Sequence, residues 1–324
     1  MEIVSLTVIV VASIVIFFTG NQFAARSSRI GSYLGMSPSA KGATLDAISS
    51  SLPEFLVALF GVIFFNSFDV GMGTIAGSAL FNLLIIPAIC VLVAPVAFTV
   101  TREVIERDSL FYIAAVFALL TALTFAVSWG FLIPLTFLAI YTWYIWYLKT
   151  DSRTFRKENT RPKNTIHPKK DVLIGLLSLA GMSIATYFLT EHAILFSRNV
   201  GIHPLIISFT IVATVTSLPD AILSIANARK GNIDDAASNV FGSNIFDILG
   251  GLSIPIIIWN ILNGPLNIVF ERMELIFFLL ATSILVLMFL IKQKRLTRFH
   301  AFTMLLLFAG FLAYIIHLAS VMTI

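Results

Sequence analysis

Four acidic side chains lie within long apolar stretches of the sequence, where a carboxylate is difficult to accommodate. They are Asp46, Glu54, Asp220 and Asp247. If these stretches cross a bilayer, each charged group costs roughly 2.5–3.5 kcal/mol near the membrane centre, so intramembrane acids are usually functional. We expect no Lys or Arg partner for the four acids within the same stretches. The sequence therefore predicts that bound cations compensate their charge.

The polar residues near these acids indicate which cations they would bind. Their side chains supply neutral oxygens from hydroxyl and amide groups, and no His or Cys stands close by. Hard cations such as Ca²⁺, Na⁺, K⁺ and Mg²⁺ prefer oxygen ligands, whereas zinc and copper prefer nitrogen and sulfur. The candidate donors are Ser50, Ser51, Ser78, Asn82, Thr216, Ser217, Ser243 and Asn244.

Two prolines are expected to add backbone oxygens to the same region. Pro53 and Pro219 each directly precede one of the acids. Proline has no N–H group, so it leaves carbonyl groups about one turn earlier without a partner. Inside a bilayer such carbonyls persist only where they line a cavity or bind something, unless Ser and Thr side chains satisfy a simple kink. The candidate carbonyls are those of Ser49 or Ser50 and of Val215 or Thr216, with Ala47 and Ala213 nearby.

These residues belong to two phrases that each occur twice in the chain. Residues 47–54 read A-I-S-S-S-L-P-E and residues 213–220 read A-T-V-T-S-L-P-D, an offset of 166 positions. Residues 77–82 read G-S-A-L-F-N and residues 242–247 read G-S-N-I-F-D, an offset of 165 positions. Two phrases repeated in one order at almost one offset indicate an internal duplication.

The composition indicates a membrane protein. Of the 324 residues, 58% are hydrophobic and only 12% are charged, and the mean hydropathy is +0.96. A soluble domain typically has about twice that share of charged residues. Runs of about 20 apolar residues recur, and each is long enough to cross a bilayer. The single cysteine, Cys90, excludes an internal disulfide, and the net charge of +4 comes from loops and does not indicate nucleic-acid binding.

Ten apolar spans can be placed along the sequence, and the basic residues between them predict a topology. Nineteen Lys and Arg residues lie in or beside the loops after odd-numbered spans, whereas two lie in the loops after even-numbered spans. Because basic loops remain in the cytoplasm, we expect both termini to lie outside. The predicted spans are 3–25, 36–65, 69–97, 109–127, 130–148, 171–196, 203–228, 233–260, 273–291 and 299–320.

The longest loop, residues 149–170, is basic and polar, and we interpret it as a cytoplasmic linker between two halves. Residues 1–148 and residues 171–324 then contain five spans each. Because five is odd, the halves enter the membrane from opposite sides, as in secondary transporters that bind substrate where inverted repeats meet. The predicted fold is an all-α membrane protein of ten transmembrane helices in two inverted five-helix repeats, with helices 2 and 7 broken.

The repeated phrases resemble those of the sodium/calcium exchangers, within the wider cation/Ca²⁺ antiporter superfamily. The similarity is most specific over residues 43–83 and 210–252, where the repeated phrases match the paired α-repeats of that family. Residues 217–220, 228–231 and 242–247 look closest to the potassium-dependent branch. The ten-span inverted repeat is also the architecture that this resemblance implies.

The resemblance implies a role for each repeated polar residue. Glu54 and Asp220 would be the central carboxylates that bind Ca²⁺. Asn82 and Asp247 would lie at the middle of the site, and Asp247 stands where the potassium-dependent branch has an acid linked to K⁺. The remaining implied ligands are Ser50 and Thr216 for Ca²⁺, and Ser51, Ser78, Ser217 and Ser243, with the carbonyl groups of Ala47 and Ala213, for Na⁺.

The sequence departs from the family pattern in three respects. The glycine usual before the hydroxyl pair is replaced by Ser49 in one repeat and Val215 in the other. Asp46 replaces an apolar residue, and Val212 stands at the equivalent place in the second half, so the number of ions is left open. The Gly-Asn-x-x-Glu phrase of the H⁺/Ca²⁺ exchangers is absent from both repeats.

The resulting prediction is a secondary antiporter in the cell membrane that moves Ca²⁺ out of the cytoplasm against Na⁺ by alternating access. Glu54, Asp220 and Asp247 supply up to three negative charges, enough for one Ca²⁺ or about three Na⁺. Whether K⁺ also travels is left open. The alternatives are H⁺/Ca²⁺ exchange and, less favoured, a cation channel with an acidic filter. We expect no enzymatic activity and no partner beyond the lipid bilayer and the transported cations.

Overall fold

The computed structural model describes residues 2–158, 168–268, 273–293 and 295–321. Its first half consists of a long helix, a helix interrupted in its middle, and three further long helices. A π-helical turn, Gly42–Asp46, lies within the interrupted helix. The helices are α1 (Glu2–Tyr33), α2 (Pro38–Lys41), α3 (Ala47–Ser50), α4 (Leu52–Ile63), α5 (Phe68–Val93), α6 (Arg102–Phe125) and α7 (Leu132–Glu158).

The second half repeats this order of elements. Its interrupted helix contains a π-helical turn at Ser208–Val212, and another such turn, Asp247–Gly251, follows α12. The helices are α8 (Pro168–Val200), α9 (Pro204–Ile207), α10 (Ala213–Thr216), α11 (Leu218–Arg229), α12 (Ile233–Phe246), α13 (Ser253–Asn263), α14 (Met273–Gln293) and α15 (Arg298–Val321).

Both interrupted helices break at a serine directly before the Leu-Pro pair. The chain bends by 51° at Ser51, between α3 and α4, and by 41° at Ser217, between α10 and α11. Pro53 and Pro219 lie in the first turn of α4 and α11, where a helix needs no N–H donor. The repeated proline therefore ends one helical segment and begins the next at the same place in each half.

The two halves interlock through a pair of glycines. A Cβ atom on Gly77 of α5 would overlap the carbonyl oxygen of Phe209, in the π-helical turn of the other half. A Cβ atom on Gly242 of α12 would lie 2.7 Å from the Cα and carbonyl oxygen of Ala43. Small residues let helix backbones approach this closely. As a result, α5 packs against the broken helix of the second half, and α12 packs against that of the first.

Four two-residue strands also join the halves. The strand β1 (Phe98–Thr99) pairs with β4 (Arg295–Leu296), and β2 (Ser128–Trp129) pairs with β3 (Leu266–Asn267), both antiparallel. Each pair therefore links a connection of one half to a connection of the other. Outside the interlocked helices, α1 and α8 pack along each other with many side chains exposed.

The helices are those of an all-α protein with several membrane spans. Within the described residues, seven helices are long and apolar enough to cross a membrane, and the two bent pairs raise the number to nine. The helix α7 is not among them, because its Tyr and Trp residues and its charged C-terminal end lower its hydropathy. The count of ten spans, the linker and the two-repeat division stay predictions at this stage.

Candidate cation site

Three of the four predicted acids meet at the breaks in the helices. Glu54 and Asp220 occupy the third position of α4 and α11, and Asp247 begins the π-helical turn after α12. All three side chains are 0% exposed. The first turn of a helix carries unpaired N–H groups and a partial positive charge, which favours a carboxylate there. The fold therefore places Glu54 and Asp220 where a buried negative charge is best tolerated.

Each of these two acids is held by one serine from each half. Ser78 Oγ of α5 and Ser217 Oγ, at the break of the other half, both lie 3.2 Å from Glu54 Oε1. The close contact of Gly77 with Phe209 brings α5 beside the second break, and it therefore places Ser78 next to Ser217.

The equivalent serines of the duplicated phrases hold Asp220 in the same way. Ser243 Oγ of α12 lies 2.6 Å from Asp220 Oδ1, and Ser51 Oγ, at the first break, lies 3.5 Å from Oδ2. The same arrangement therefore occurs twice. Each half supplies one acid, and each acid is contacted by one serine of its own half and one serine of the other half.

The third acid breaks this symmetry. Asp247 aligns with Asn82 in the repeated phrases, so one half contributes a carboxylate where the other contributes an amide. Asn82 Nδ2 lies 3.2 Å from both Asp220 Oδ2 and Asn244 Oδ1. Ser78 Oγ contacts Asp247 Oδ2 at 3.5 Å as well as Glu54 and Ser217, so it joins two of the carboxylates.

Several oxygens of this cluster have no hydrogen-bond partner although they are buried. They include Glu54 Oε2, Asp247 Oδ1 and Asn82 Oδ1. In the described part of the chain, no basic side chain pairs with Glu54, Asp220 or Asp247. Buried polar atoms are almost always satisfied, and removing the partner of a buried charge is strongly destabilising. The cluster therefore has the properties of a site that binds cations.

The cluster contains neutral oxygens as well as carboxylates. No group of three or more His, Cys, Asp or Glu residues is compact enough to hold a metal ion within the described residues. The carboxylates are instead separated by Ser and Asn side chains, whose oxygens lie among them. A hard cation such as Ca²⁺ takes six to eight oxygens of mixed type, including hydroxyl, carbonyl and amide groups.

The remaining predicted ligands lie around this cluster. Ser50 Oγ donates to the carbonyl of Asp46 at 2.7 Å, and Thr216 Oγ1 donates to that of Val212 at 3.1 Å. Both side chains are fully buried, and they also reach Asp220 and Glu54, respectively. Because a hydroxyl that donates to the backbone keeps its lone pairs, these oxygens remain able to face a cation.

Two of the predicted backbone ligands, the carbonyl oxygens of Ala47 and Ala213, already accept hydrogen bonds within their own helices. The carbonyls of Ala47 and Ala213 each accept a backbone N–H at 3.0 Å, from Ser51 and Ser217. The Ser50 and Thr216 hydroxyls, which donate mainly to the carbonyls of Asp46 and Val212, also lie 3.3 Å from these two oxygens. A carbonyl oxygen has two lone pairs, so each keeps one position for a cation, and their role as ion ligands stays a prediction.

The fourth predicted acid, Asp46, lies in a different environment. The expectation that it has no basic partner is wrong, because Lys41 Nζ lies 3.3 Å from Asp46 Oδ2 and 3.0 Å from Asp235 Oδ2. Lys41 stands five positions before Asp46, and the π-helical turn Gly42–Asp46 brings residues at that spacing onto one face. Lys41 and Asp235 were not expected beside Asp46 from the sequence, although the close spacing of Lys41 and Asp46 was a readable signal.

Comparison with known proteins identifies the family. The sequence profile described as "Sodium/calcium exchanger protein" matches residues 4–150 and 170–317, which is most of the chain. The chain therefore belongs to the sodium/calcium exchanger family, a family of transporters and not of enzymes. The match spans both halves and leaves out the residues around the predicted linker.

Individual relatives show how far this similarity extends. The Inner membrane protein YrbG of Escherichia coli K12 is 29% identical over 260 residues, which cover 77% of this chain and 78% of YrbG. Sodium/potassium/calcium exchanger 1 of Bos taurus is 35% identical over 153 residues, but these cover only 45% of this chain and 12% of that protein. The similarity to a potassium-dependent exchanger is therefore limited to part of the chain.

A solved structure supports the fold. The sodium-calcium exchanger NCX_Mj, soaked with Na⁺ and Ca²⁺, matches 97% of this chain and 99% of its own with a TM-score of 0.69. Because the sequence identity is 22%, this comparison establishes the architecture alone.

Proposed function

We propose that this protein is a secondary antiporter that exchanges Ca²⁺, moving out of the cytoplasm, for Na⁺, moving in. The observation that carries the proposal is the group of three fully buried carboxylates, Glu54, Asp220 and Asp247, which no basic side chain in the described residues neutralises. Such a group requires a cation to be stable in a membrane. Membership of the sodium/calcium exchanger family supports the choice of Ca²⁺ and Na⁺.

Exchange follows if the two ions compete for the same oxygens. Three carboxylates balance either one Ca²⁺ or about three Na⁺ without a large excess of buried charge. Because one load must leave before the other binds, transport of the two ions is coupled. In the proposed arrangement, Ca²⁺ is bound by Glu54, Asp220, Ser50 and Thr216, with Asn82 and Asp247 at the centre. Na⁺ is bound by Ser51, Ser78, Ser217 and Ser243 and by the carbonyl groups of Ala47 and Ala213.

The proposed mechanism is alternating access in an inverted repeat of ten spans. The equivalent breaks at Ser51 and Ser217 and the reciprocal glycine contacts support two repeats related by a pseudo-twofold axis. The helices α1 and α8 pack along each other at the outside of the interlocked core. In this proposal they slide over the core and expose the site to one side at a time.

The proposed orientation follows from the basic loops. With both termini outside, residues 149–170 form a cytoplasmic linker, and the cell membrane is the proposed location. No protein partner is required by this mechanism. A linked movement of K⁺ remains open, and Asp247 is the residue at which it would be expected, because it supplies the charge that the Asn82 half lacks.

The test is ⁴⁵Ca²⁺ uptake into proteoliposomes loaded with Na⁺, K⁺ or choline at fixed pH. Uptake that requires internal Na⁺ and disappears in Glu54→Gln is expected. Glu103→Gln, at an exposed acid of α6, is the matched control and should transport normally. Equal uptake from choline-loaded vesicles that responds only to a pH gradient would overturn Na⁺ coupling in favour of H⁺/Ca²⁺ exchange. Uncoupled downhill flux would indicate a channel.

Adding K⁺ to the Ca²⁺ side of the same vesicles tests the linked movement of K⁺. Stimulation of Na⁺-dependent uptake that is lost in Asp247→Asn would assign K⁺ to this site. Uptake that is unchanged by K⁺ would exclude K⁺ from the cycle.

A further inference from the structure

A second group of buried charges lies away from the carboxylates described above. Lys41 Nζ contacts three oxygens there, Asp235 Oδ2 at 3.0 Å, Ser28 Oγ at 3.1 Å and Asp46 Oδ2 at 3.3 Å. These oxygens come from α12, from α1 and from the π-helical turn of the first broken helix. We call Lys41, Asp46, Asp235 and Ser28 the outer cluster. The ammonium group of Lys41 is held there as a cation is held by its ligands.

The outer cluster contains one more negative charge than positive charge. Two carboxylates share a single ammonium group, and the side chains of Asp46 and Asp235 are 0% and 3% exposed. Each carboxylate also has a buried oxygen without a hydrogen-bond partner, Asp46 Oδ1 and Asp235 Oδ1. A buried charge without a partner is strongly destabilising, so a purely structural ion pair would not be built with this excess. The excess charge and the free oxygens both indicate a place for a further cation.

The backbone at Gly42 packs closely against Asp235 of the outer cluster. A Cβ atom on Gly42 would lie 2.7 Å from both the carbonyl oxygen and Oδ1 of Asp235. Only glycine lets the π-helical turn approach Asp235 this closely. Other charged groups near Asp235 are Lys230 and Asp234, and Asp234 accepts a hydrogen bond from the backbone of Thr101 at 2.8 Å.

A row of polar side chains connects the outer cluster to the three central acids. Asp235, Asn239 and Ser243 stand four residues apart on one face of α12, so the row rises about 12 Å over two turns. Asn239 Nδ2 lies 3.5 Å from the carbonyl oxygen of Asp220, and Ser243 contacts the Asp220 carboxylate.

A second, shorter connection runs along the first broken helix. Ser50 Oγ donates to the carbonyl of Asp46, and the Ser50 side chain reaches Asp220. A cation at the outer cluster would therefore lie at the end of a polar path that leads to the central carboxylates.

We propose that Asp46 and Asp235 form a second cation-binding site, selective for divalent cations, which Lys41 occupies as a tethered competitor. A divalent cation that displaces the Lys41 ammonium balances both carboxylates, whereas the ammonium balances only one. Lys41 keeps the affinity of this site low, so that an ion passes on to the central carboxylates and is not trapped. The position of this site on the cytoplasmic side rests on the proposed topology, but its ability to bind cations does not.

The experiment measures Ca²⁺ binding when the central carboxylates are disabled. All variants carry Glu54→Gln, Asp220→Asn and Asp247→Asn in the full-length purified protein, and ⁴⁵Ca²⁺ binding is measured at equilibrium. Replacing Lys41→Met is expected to tighten Ca²⁺ binding by about tenfold or more, since the tethered ammonium group no longer competes with the ion for the two carboxylates. The matched control, Lys41→Arg, keeps the charge and is expected to show no gain.

A second set of variants shows where the gained ion binds. Adding Asp46→Asn or Asp235→Asn to the Lys41→Met protein is expected to abolish the gain. The proposal is overturned if Lys41→Met binds no more Ca²⁺ than the Lys41 protein, or if the gain survives both Asn substitutions. Lys41→Gln is measured in parallel, and thermal unfolding without Ca²⁺ identifies the folded variants used for comparison. This experiment measures Ca²⁺ binding and not transport. Its outcome therefore does not depend on whether the protein exchanges Na⁺ for Ca²⁺ in vesicles.

Discussion

The central carboxylates and the outer cluster differ in how their buried negative charge is compensated. Glu54, Asp220 and Asp247 have no basic partner within the described residues, and Ser and Asn side chains surround them. In the outer cluster, Asp46 and Asp235 share the ammonium group of Lys41. In the proposed function the first arrangement depends on ions from solution, whereas the second contains the Lys41 ammonium group as a cation of its own.

In the two proposals, this difference separates the acids that bind transported ions from the acids that form a second cation site. Lys41 compensates one of the two carboxylates of the outer cluster when no ion is bound, so the empty outer cluster has a smaller uncompensated charge than the three central acids. The central carboxylates lack this compensation and favour an occupied site. Four substitutions test the comparison, and their expected effects decrease from the central pair to the outer cluster.

The largest effect is expected at the central pair. Asp220→Asn should reduce Na⁺-dependent ⁴⁵Ca²⁺ uptake by roughly 100-fold or more, as should Glu54→Gln, because each removes a buried charged ligand worth about 3 kcal/mol. Glu103→Gln serves as the control. Retention of more than half of the wild-type uptake by Asp220→Asn would show that the two halves do not contribute equivalent ligands.

An intermediate effect is expected at the residue that breaks the symmetry. Asp247→Asn gives both halves an amide at this position and lowers the available negative charge by one, so Ca²⁺ affinity should fall by about tenfold. The charge moved per cycle should also change, which uptake at imposed membrane potentials measures. The reverse change, Asn82→Asp, is expected to shift the voltage dependence in the opposite sense. Unaltered voltage dependence in both variants would contradict this assignment.

A smaller effect is expected at the serine that joins two carboxylates. Ser78→Ala removes the hydroxyl that contacts both Glu54 and Asp247 and should weaken Na⁺ affinity by about five- to tenfold, since one neutral oxygen ligand is lost and such a polar contact contributes about 1 kcal/mol. Ser243→Ala, whose hydroxyl contacts only Asp220, is the matched comparison and should weaken Na⁺ affinity less. The Na⁺ dependence of uptake gives both values. Equal effects would argue against a bridging role for Ser78.

The smallest effect is expected in the outer cluster. Asp46→Asn leaves Lys41 and Asp235 as a neutral pair, so apparent Ca²⁺ affinity from the side of the basic loops should fall only by about two- to threefold. Uptake into vesicles of each orientation measures this affinity. Asp46→Glu, which keeps the charge, is the control. A loss as large as that of Glu54→Gln would place Asp46 among the central ligands and remove the distinction between the two clusters.

Much of the central cluster could be read from the sequence because it is encoded locally. In the duplicated phrases an acid directly follows the Leu-Pro pair and a serine directly precedes that pair. The same short segment therefore specifies both the helix break and its charge. The serines of the second phrase follow Gly77 and Gly242, which allow the close contact between halves. Chemistry and packing are therefore both specified within two short segments.

The outer cluster could not be found in this way because its members come from distant segments. Lys41 and Asp235 lie nearly 200 positions apart, and their contact depends on the packing of α12 against the first broken helix. The π-helical turn that aligns Lys41 with Asp46 has no simple sequence signal. An assignment based on apolar stretches alone therefore treated Asp46 as unpaired.

The sequence by itself determined that this is a duplicated membrane protein with repeated acids, prolines and hydroxyl groups, since composition and short repeated phrases are local properties. Only the tertiary structure decided which acids share a site and which acid has an internal partner. The physical reason is that compensation of a buried charge depends on distance in space. Two glycines and two helix breaks set these distances by fixing how the halves interlock.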